Sequence, residues 1–200
     1  MEERLESLRQ EIVDKSLEAF RQGLFSGTSG NMSCRVAPDE MLITPTSVRY
    51  DVLRARDIVR MKLDGTVLEG ALQPSSEWRM HAAVYEAYGG TNAVFHTHSP
   101  YATAFAVVRK SIPAVLIEAR VFLGGDIRCA DYATPGTKEV GMNAVPALFG
   151  RGGCTLANHG VLAVGEDLAQ AYLRAEYIED VAKIYAYAKA IGEPVALDTL

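Results

Sequence analysis

Residues 93–98 read Ala-Val-Phe-His-Thr-His and run into Ser99-Pro100. The stretch is apolar for three residues and ends in two histidines. It is too short for an amphipathic helix and reads as a buried strand. The pattern changes on both sides of it. Upstream, Pro74-Ser75-Ser76 opens a helix, with a serine as N-cap, that runs to Gly89-Gly90. Downstream, Pro100 starts another helix that reaches about Val108. Further out, Leu5, Leu8, Ile12, Phe20 and Leu24 recur at helical spacing and predict a helix over 2–24, ended by Gly23 and the glycines at 27 and 30. Strands are predicted at 31–36, 41–44 and 57–63, the last closed by a turn at Asp64-Gly65. Strands at 114–117 and 126–130, a helix over 137–149, and strands at 154–157 and 161–164 complete the middle of the chain. A last helix starts near Asp167, keeps its spacing through Leu168, Tyr172, Ala175, Ile178, Ala182, Tyr185 and Ala188, and stops at Gly192 and Pro194. Alternating helices and short strands define an α/β class. Several strands are hairpin-linked, so a mixed or mainly antiparallel sheet is expected.

Composition sets the outer bounds. The chain has 200 residues, enough for one compact domain over 1–200 that buries about 70% of its unfolded surface without disulfide staples. Hydrophobic residues make up 48% and charged residues 22%, and the net charge of −5 argues against a nucleic-acid or acidic-membrane binder. No apolar run approaches the ~18 residues of a membrane span. The charged opening, MEERLESLRQEIVDK, carries no signal-peptide core. Cys34, Cys129 and Cys154 lie far apart with no CxxC pair, as expected of reduced cysteines in a cytoplasmic protein.

Four histidines are present: His81, His96, His98 and His159. A lone histidine is more often a hydrogen-bonded core or loop residue than a ligand. His96 and His98, however, are two apart in a strand and share a face, which offers two nitrogens to one metal. His159, in Leu156-Ala157-Asn158-His159-Gly160, sits between two short apolar runs and can supply a third. Glu77 lies in the first turn of the helix opened at Pro74. The helix dipole alone favours an acid there, but the same carboxylate can ligate a metal or act as a base. His81, four residues on, shares its helical face and is read as a supporting or packing residue rather than a ligand. The segments Gly27-Thr28-Ser29-Gly30-Asn31, Thr44-Pro45-Thr46-Ser47 and Ser75-Ser76 are small and hydroxyl-rich. Each alone is an ordinary loop; together, with one at a helix N-terminus, they suit a phosphate. None is a Walker loop or a GxGxxG.

Taken in order, seven segments resemble the class II aldolase/adducin family, in its fuculose-phosphate-aldolase-like branch. They are GTSGNMSCR, MLITPTSVRY, PSSEWRMHAAVY, AVFHTHSPYATA, SIPAVL, CADYATPGTKEV and LANHGVLAVGEDLAQAY, and they span most of residues 20–190. The resemblance implies a single three-layer α/β/α domain around a mainly antiparallel sheet, assembled as a homotetramer with active sites between subunits. It implies a divalent metal, normally Zn2+ with Mn2+ or Co2+ as alternatives, held by His96, His98 and His159. Glu77 would be an additional ligand and the acid/base. It implies a phosphate site at Gly30, Asn31, Thr46, Ser47, Ser75 and Ser76. The activity implied is reversible cleavage of a ketose 1-phosphate (fuculose, ribulose or 5-deoxyribulose type) to dihydroxyacetone phosphate and an aldehyde.

The chain departs from the family pattern in places. Ser47 stands where the family has a glycine, Ala130-Asp131-Tyr132 replaces Ala-Pro-Tyr, and Ile117 falls where a tyrosine is expected. The family's longer C-terminal tail, with a further tyrosine, has no counterpart before Leu200. Alternatives on the same fold are a 4-epimerase, which the resemblance disfavours because that branch carries aspartate at position 77, and a decarboxylase of a phosphorylated oxo-acid. A non-catalytic adducin-like module lacks the three histidines. A structural zinc protein would close all four coordination positions, whereas three histidines leave one open.

Overall fold

The computed structural model describes residues 2–197. Its elements are α1 (Glu2–Arg21), β1 (Asn31–Ala37), β2 (Glu40–Ile43), β3 (Val59–Lys62), β4 (Val67–Glu69), α2 (Trp78–Ala87), β5 (Ala93–Thr97), α3 (Pro100–Val107), α4 (Ile117–Val121), β6 (Arg128–Ala130), α5 (Lys138–Leu148), β7 (Gly153–Leu156), β8 (Gly160–Gly165) and α6 (Leu168–Ile191). The strands form one eight-stranded sheet in the order β4-β3-β2-β1-β5-β8-β7-β6. Every neighbouring pair is antiparallel except β6 and β7. This is the α/β, mainly antiparallel arrangement expected from the strand spacing.

Period two along the strands sorts the side chains onto two faces. On one face Met32, Cys34, Leu42, Phe95, Val161 and Ala163 pack with Ile12 and Val13 of α1, Ala102 of α3, Ala119 of α4 and Tyr172 and Ile178 of α6. On the other, Met41, Ile43, Met61, Val94, Cys154 and Leu162 pack with Met80, Val84 and Tyr85 of α2 and Val140, Ala144 and Leu148 of α5. The sheet is therefore the middle of three layers. β5 is buried along its whole length because β1 and β8 flank it and helices cover both faces. The two-residue alternation that sends Val94 to the α2 side also sends His96 there.

The structure revises several boundaries. Residues 114–117 are not a strand. Ile112 makes a two-bond bridge with Ile127, but Pro113 has no N–H to extend the ladder, and Ile117 begins α4. Residues 55–57 form a 3-10 turn ahead of β3, and β6 is confined to 128–130. β4 escapes the sequence pattern because it is a three-residue edge strand with two exposed residues. Arg60 secures it through ion pairs to Glu69 at 2.8 Å and to Glu40 at 2.7 Å. The segment opened at Pro74 becomes helical only at Trp78. Before that, Thr46 N–H donates to Gln73 O and Ser75 N–H to Thr44 O, so the 44–46 and 73–75 loops are stitched together. Cys34, Cys129 and Cys154 are free thiols, and among the described residues no helix is long and apolar enough to cross a membrane.

α2 and α5 approach closely at Gly141. A Cβ there would lie 2.6 Å from Ala83 Cβ and 2.9 Å from Met80 O. Gly141→Val therefore forces the two helices apart and should cost about 1–3 kcal/mol of stability, read as a lower urea midpoint at unchanged slope. An unchanged midpoint would mean that the contact carries no constraint.

Candidate active site

Four side chains from three places in the sheet layer meet at one point. His96 is near the end of β5 and His98 lies just past it; His159 sits in the β7–β8 turn, and Glu77 immediately precedes α2. One ligand-type atom from each lies within 4.8 Å of all the others. His96 Nε2 is 3.0 Å from His98 Nε2 and 3.2 Å from Glu77 Oε2, and His159 Nε2 is 3.1 Å from Glu77 Oε1. His81, also a histidine of α2, is not part of this group.

Local backbone requirements bring these side chains together. Asn158 adopts a left-handed conformation (φ 54°), its N–H donates to Ala106 O, and Arg109 Nε donates to its side-chain oxygen at 3.0 Å. This pins the turn that carries His159 to the end of α3. Gly160 follows, and a Cβ there would run into Thr97 O and sit 3.1 Å from both His96 Cε1 and His98 Cδ2. Only glycine lets the β8 backbone approach the two histidines this closely.

The protonation states follow from the partners. His96 Nδ1 lies 2.8 Å from Val161 O. A carbonyl only accepts, so Nδ1 carries a hydrogen and Nε2 is the ring atom turned toward the cluster. Burial, and then the neighbouring His96 and His159, lower the His98 pKa to about 4, so its ring is neutral at pH 7. Burial pushes the Glu77 carboxyl up, but the imidazoles of His96 and His159 overcome this and hold it well below the usual carboxylate range. Glu77 is thus an anion at 9% exposure, with an imidazole nitrogen beside each oxygen. Glu77 Oε1 and His159 Nδ1 have no hydrogen-bond partner. Three imidazoles and a carboxylate with an unpartnered oxygen fit a divalent cation. The observed nitrogen spacing is near the ~3.3 Å that two imidazoles at ~2.0–2.1 Å from one tetrahedral ion would take.

Glu77, His98 and His159 of the cluster line a 350 Å³ cavity, with His96 buried behind them. Gly30, Asn31, Thr46, Ser47, Ser75 and Ser76, all anticipated as phosphate-site residues, line this cavity together with Thr28, Ser29 and Pro45. Ser47, in the position of the family glycine, keeps a left-handed backbone (φ 59°). Gly30 does the same (φ 88°), and a Cβ on it would collide with the Phe25 ring. Pro135 and Gly136 also line the cavity, with Gly136 close against Ser76 O. They escaped the sequence reading because Thr-Pro-Gly-Thr reads as an ordinary turn. Ile117, at the start of α4 and 51% exposed, is not among the lining residues.

The profile of the Class II Aldolase and Adducin N-terminal domain family matches residues 10–186. The chain belongs to that family. Among its members, the L-fuculose phosphate aldolase of Escherichia coli is 40% identical over 188 residues, covering 94% of this chain and 86% of the relative. The 5-deoxy-D-ribulose 1-phosphate aldolase of Bacillus thuringiensis is 39% identical over 194 residues, covering 96% and 91%. A solved L-fuculose 1-phosphate aldolase superposes with a TM-score of 0.92 at 39% identity, over 96% of this chain and 91% of that one. Class II aldolases use a divalent metal, and the Glu77–His96–His98–His159 group is where this member of the family could hold one.

If that group binds the metal, protein purified without added metal should retain about one divalent ion per chain, whereas His159→Ala should retain little. Plasma mass spectrometry of zinc, manganese and cobalt measures both. Equal metal at equal affinity in the two proteins would remove His159 from the ligand set.

Proposed function

We propose that this chain is a metal-dependent sugar-phosphate aldolase that reversibly cleaves a ketose 1-phosphate to dihydroxyacetone phosphate and an aldehyde. The observation that carries the proposal is the shared cavity, lined by residues of the carboxylate–histidine cluster and by three hydroxyl-rich turns. The relatives named for L-fuculose phosphate and for 5-deoxy-D-ribulose 1-phosphate support it. Those two substrates share a phosphorylated three-carbon end and differ at the aldehyde end. The single 1–200 domain, Zn2+ as the metal, a homotetramer with inter-subunit sites and a cytoplasmic location belong to the same reading. Free Cys34 and Cys154, both buried, suit that compartment.

In this reading His96, His98 and His159 hold the divalent ion, with Glu77 as a further ligand. The ion, when bound, supplies Lewis-acid stabilisation of negative charge on the substrate's carbonyl and hydroxyl oxygens. The imidazoles add no negative charge, so only Glu77 offsets part of the ion's charge, and burial keeps water from screening it. Glu77 takes a proton from the donor carbon in the condensation direction and returns one after carbon–carbon cleavage. Ser75 and Ser76, before the first turn of α2, meet the phosphate with hydroxyls and the positive end of the helix dipole. Gly30 and Asn31 approach from β1, and Thr46 and Ser47 from the loop stitched to Ser75. Binding energy from the phosphate then fixes the reacting carbon in front of Glu77. The decarboxylase and 4-epimerase alternatives are not favoured by the relatives' names, and the adducin-like module lacks the ligands this chain carries.

Glu77→Gln should fold, and it should lose roughly 10²–10⁴-fold in the rate of C3 proton exchange of dihydroxyacetone phosphate in D2O. Exchange followed by NMR at a rate near wild type would reject the acid/base role.

Ser75→Asp should raise KM for dihydroxyacetone phosphate by about tenfold or more, because it sets a carboxylate against a dianion, while metal content stays unchanged. An unaltered KM would put the phosphate elsewhere.

A further inference from the structure

Behind Glu77 a chain of polar side chains runs into the core. Asn31 and Ser33 are two apart on β1 and share a face of the strand. His81 and Tyr85 are four apart on α2 and share a face of the helix. The two faces meet. Asn31 Nδ2 lies 2.8 Å from Glu77 Oε2, and His81 Nε2 lies 2.5 Å from Asn31 Oδ1. Ser33 Oγ lies 2.7 Å from both His81 Nδ1 and Tyr85 Oη. Asn31 is 4% exposed, Tyr85 1%, and Ser33 and His81 not at all, so no water competes for these groups.

Chemistry fixes the direction of every bond. A carboxylate can only accept, so Asn31 presents its NH2 to Glu77 and its oxygen to His81. The amide oxygen needs a donor, so His81 carries its hydrogen on Nε2. Full burial pushes the His81 pKa down to about 3, so the ring is neutral and accepts at Nδ1; Ser33 donates there and accepts from the Tyr85 hydroxyl. Turning the amide over would set its oxygen against the carboxylate and its NH2 against the Nε2–H. The two oxygens of Glu77 thereby differ: Oε2 accepts from the Asn31 amide, while Oε1 faces His159 Nε2 at 3.1 Å and accepts no hydrogen bond.

We propose that His81 is a positioning residue for the acid/base carboxylate. Acting through Asn31, it anchors Glu77 Oε2 and leaves Oε1 as the oxygen that takes and returns the proton. The proposal rests on the reading of Glu77 as that acid/base. It assigns a role beyond packing to a histidine that binds neither metal nor substrate. It also means that the Asn31 amide keeps only its second N–H for a ligand in the cavity.

The test has an arm that does not depend on activity. In holoenzyme with 15N-labelled histidine, long-range proton–nitrogen spectra at pH 7 should show His81 protonated at Nε2 and bare at Nδ1. The other tautomer, or an imidazolium, overturns the proposal. In the kinetic arm, the side chain of His81→Gln still reaches Asn31 with an N–H, whereas that of His81→Asn stops near Ser33. His81→Asn should lose about 10- to 100-fold in kcat for C3 proton exchange of dihydroxyacetone phosphate, with KM and metal content unchanged, and His81→Gln should regain most of it. Equal losses in both variants that follow their melting temperatures would mean that His81 only packs. Should His81→Asn fail to fold, the wild-type spectrum and the KM–kcat split of His81→Gln still decide. Glu77→Gln assayed alongside separates the two ideas: undiminished exchange there would fail the acid/base reading, while a loss there with no effect at His81 would fail only the positioning role.

Discussion

Keeping a carboxylate charged where water hardly reaches it carries a desolvation cost of several kcal/mol unless other groups take water's place. At Glu77 that requirement organises the surroundings. Two imidazole nitrogens stand within 3.2 Å of its oxygens, and an amide N–H is bonded to Oε2. None of these groups is free to move away. His96 is tied to Val161 O, His159 is set by a left-handed turn pinned to α3, and Asn31 is gripped from behind by His81. The buried anion is possible only because β1, β5, β8 and α2 have already been fixed by the two apolar cores on either side of the sheet. Those cores in turn leave no slack at Gly160 or Gly141 for the elements to separate.

The parts of this architecture that announce themselves in the sequence are the ones with local signatures. The apolar run at 93–97, the helical spacing from Leu168 to Ala188 and the turn at Asp64-Gly65 all depend on neighbours in the chain, and they reappear at nearly those places. The histidine pair was legible because period two is a property of any strand. β4 was not, because three residues with two exposed give no alternation to read, and neither was the ending of the ladder at Pro113, because it depends on Ile127 lying opposite Ile112. With a serine as N-cap the start of α2 falls one or two residues before Trp78, where the helix begins. Ser75 gives its N–H to Thr44 rather than to a helical turn, and a proline-serine pair does not reveal that tether.

For the site, residue type and order carried most of the information, but not the roles of supporting groups. His81 could be set apart from the ligands by its helical position, yet its attachment to Asn31 requires the β1–α2 packing to be known. Pro135 and Gly136 carry no reactive group, and only the fold brings them to the cavity, with Gly136 set against Ser76 O.

Ser47 holds a backbone conformation that glycine adopts without strain and serine adopts at some cost, on the order of 1 kcal/mol. A glycine there would also let the loop explore mirror-image regions of backbone space before a phosphate arrives. A serine narrows that search, so less conformational entropy remains to be lost when the loop closes on its ligand. If this loop receives the phosphate as proposed, the serine trades a slightly strained resting loop for one closer to a bound shape, and its effect would be felt in how fast and how tightly the phosphorylated end is captured rather than in the chemistry that follows.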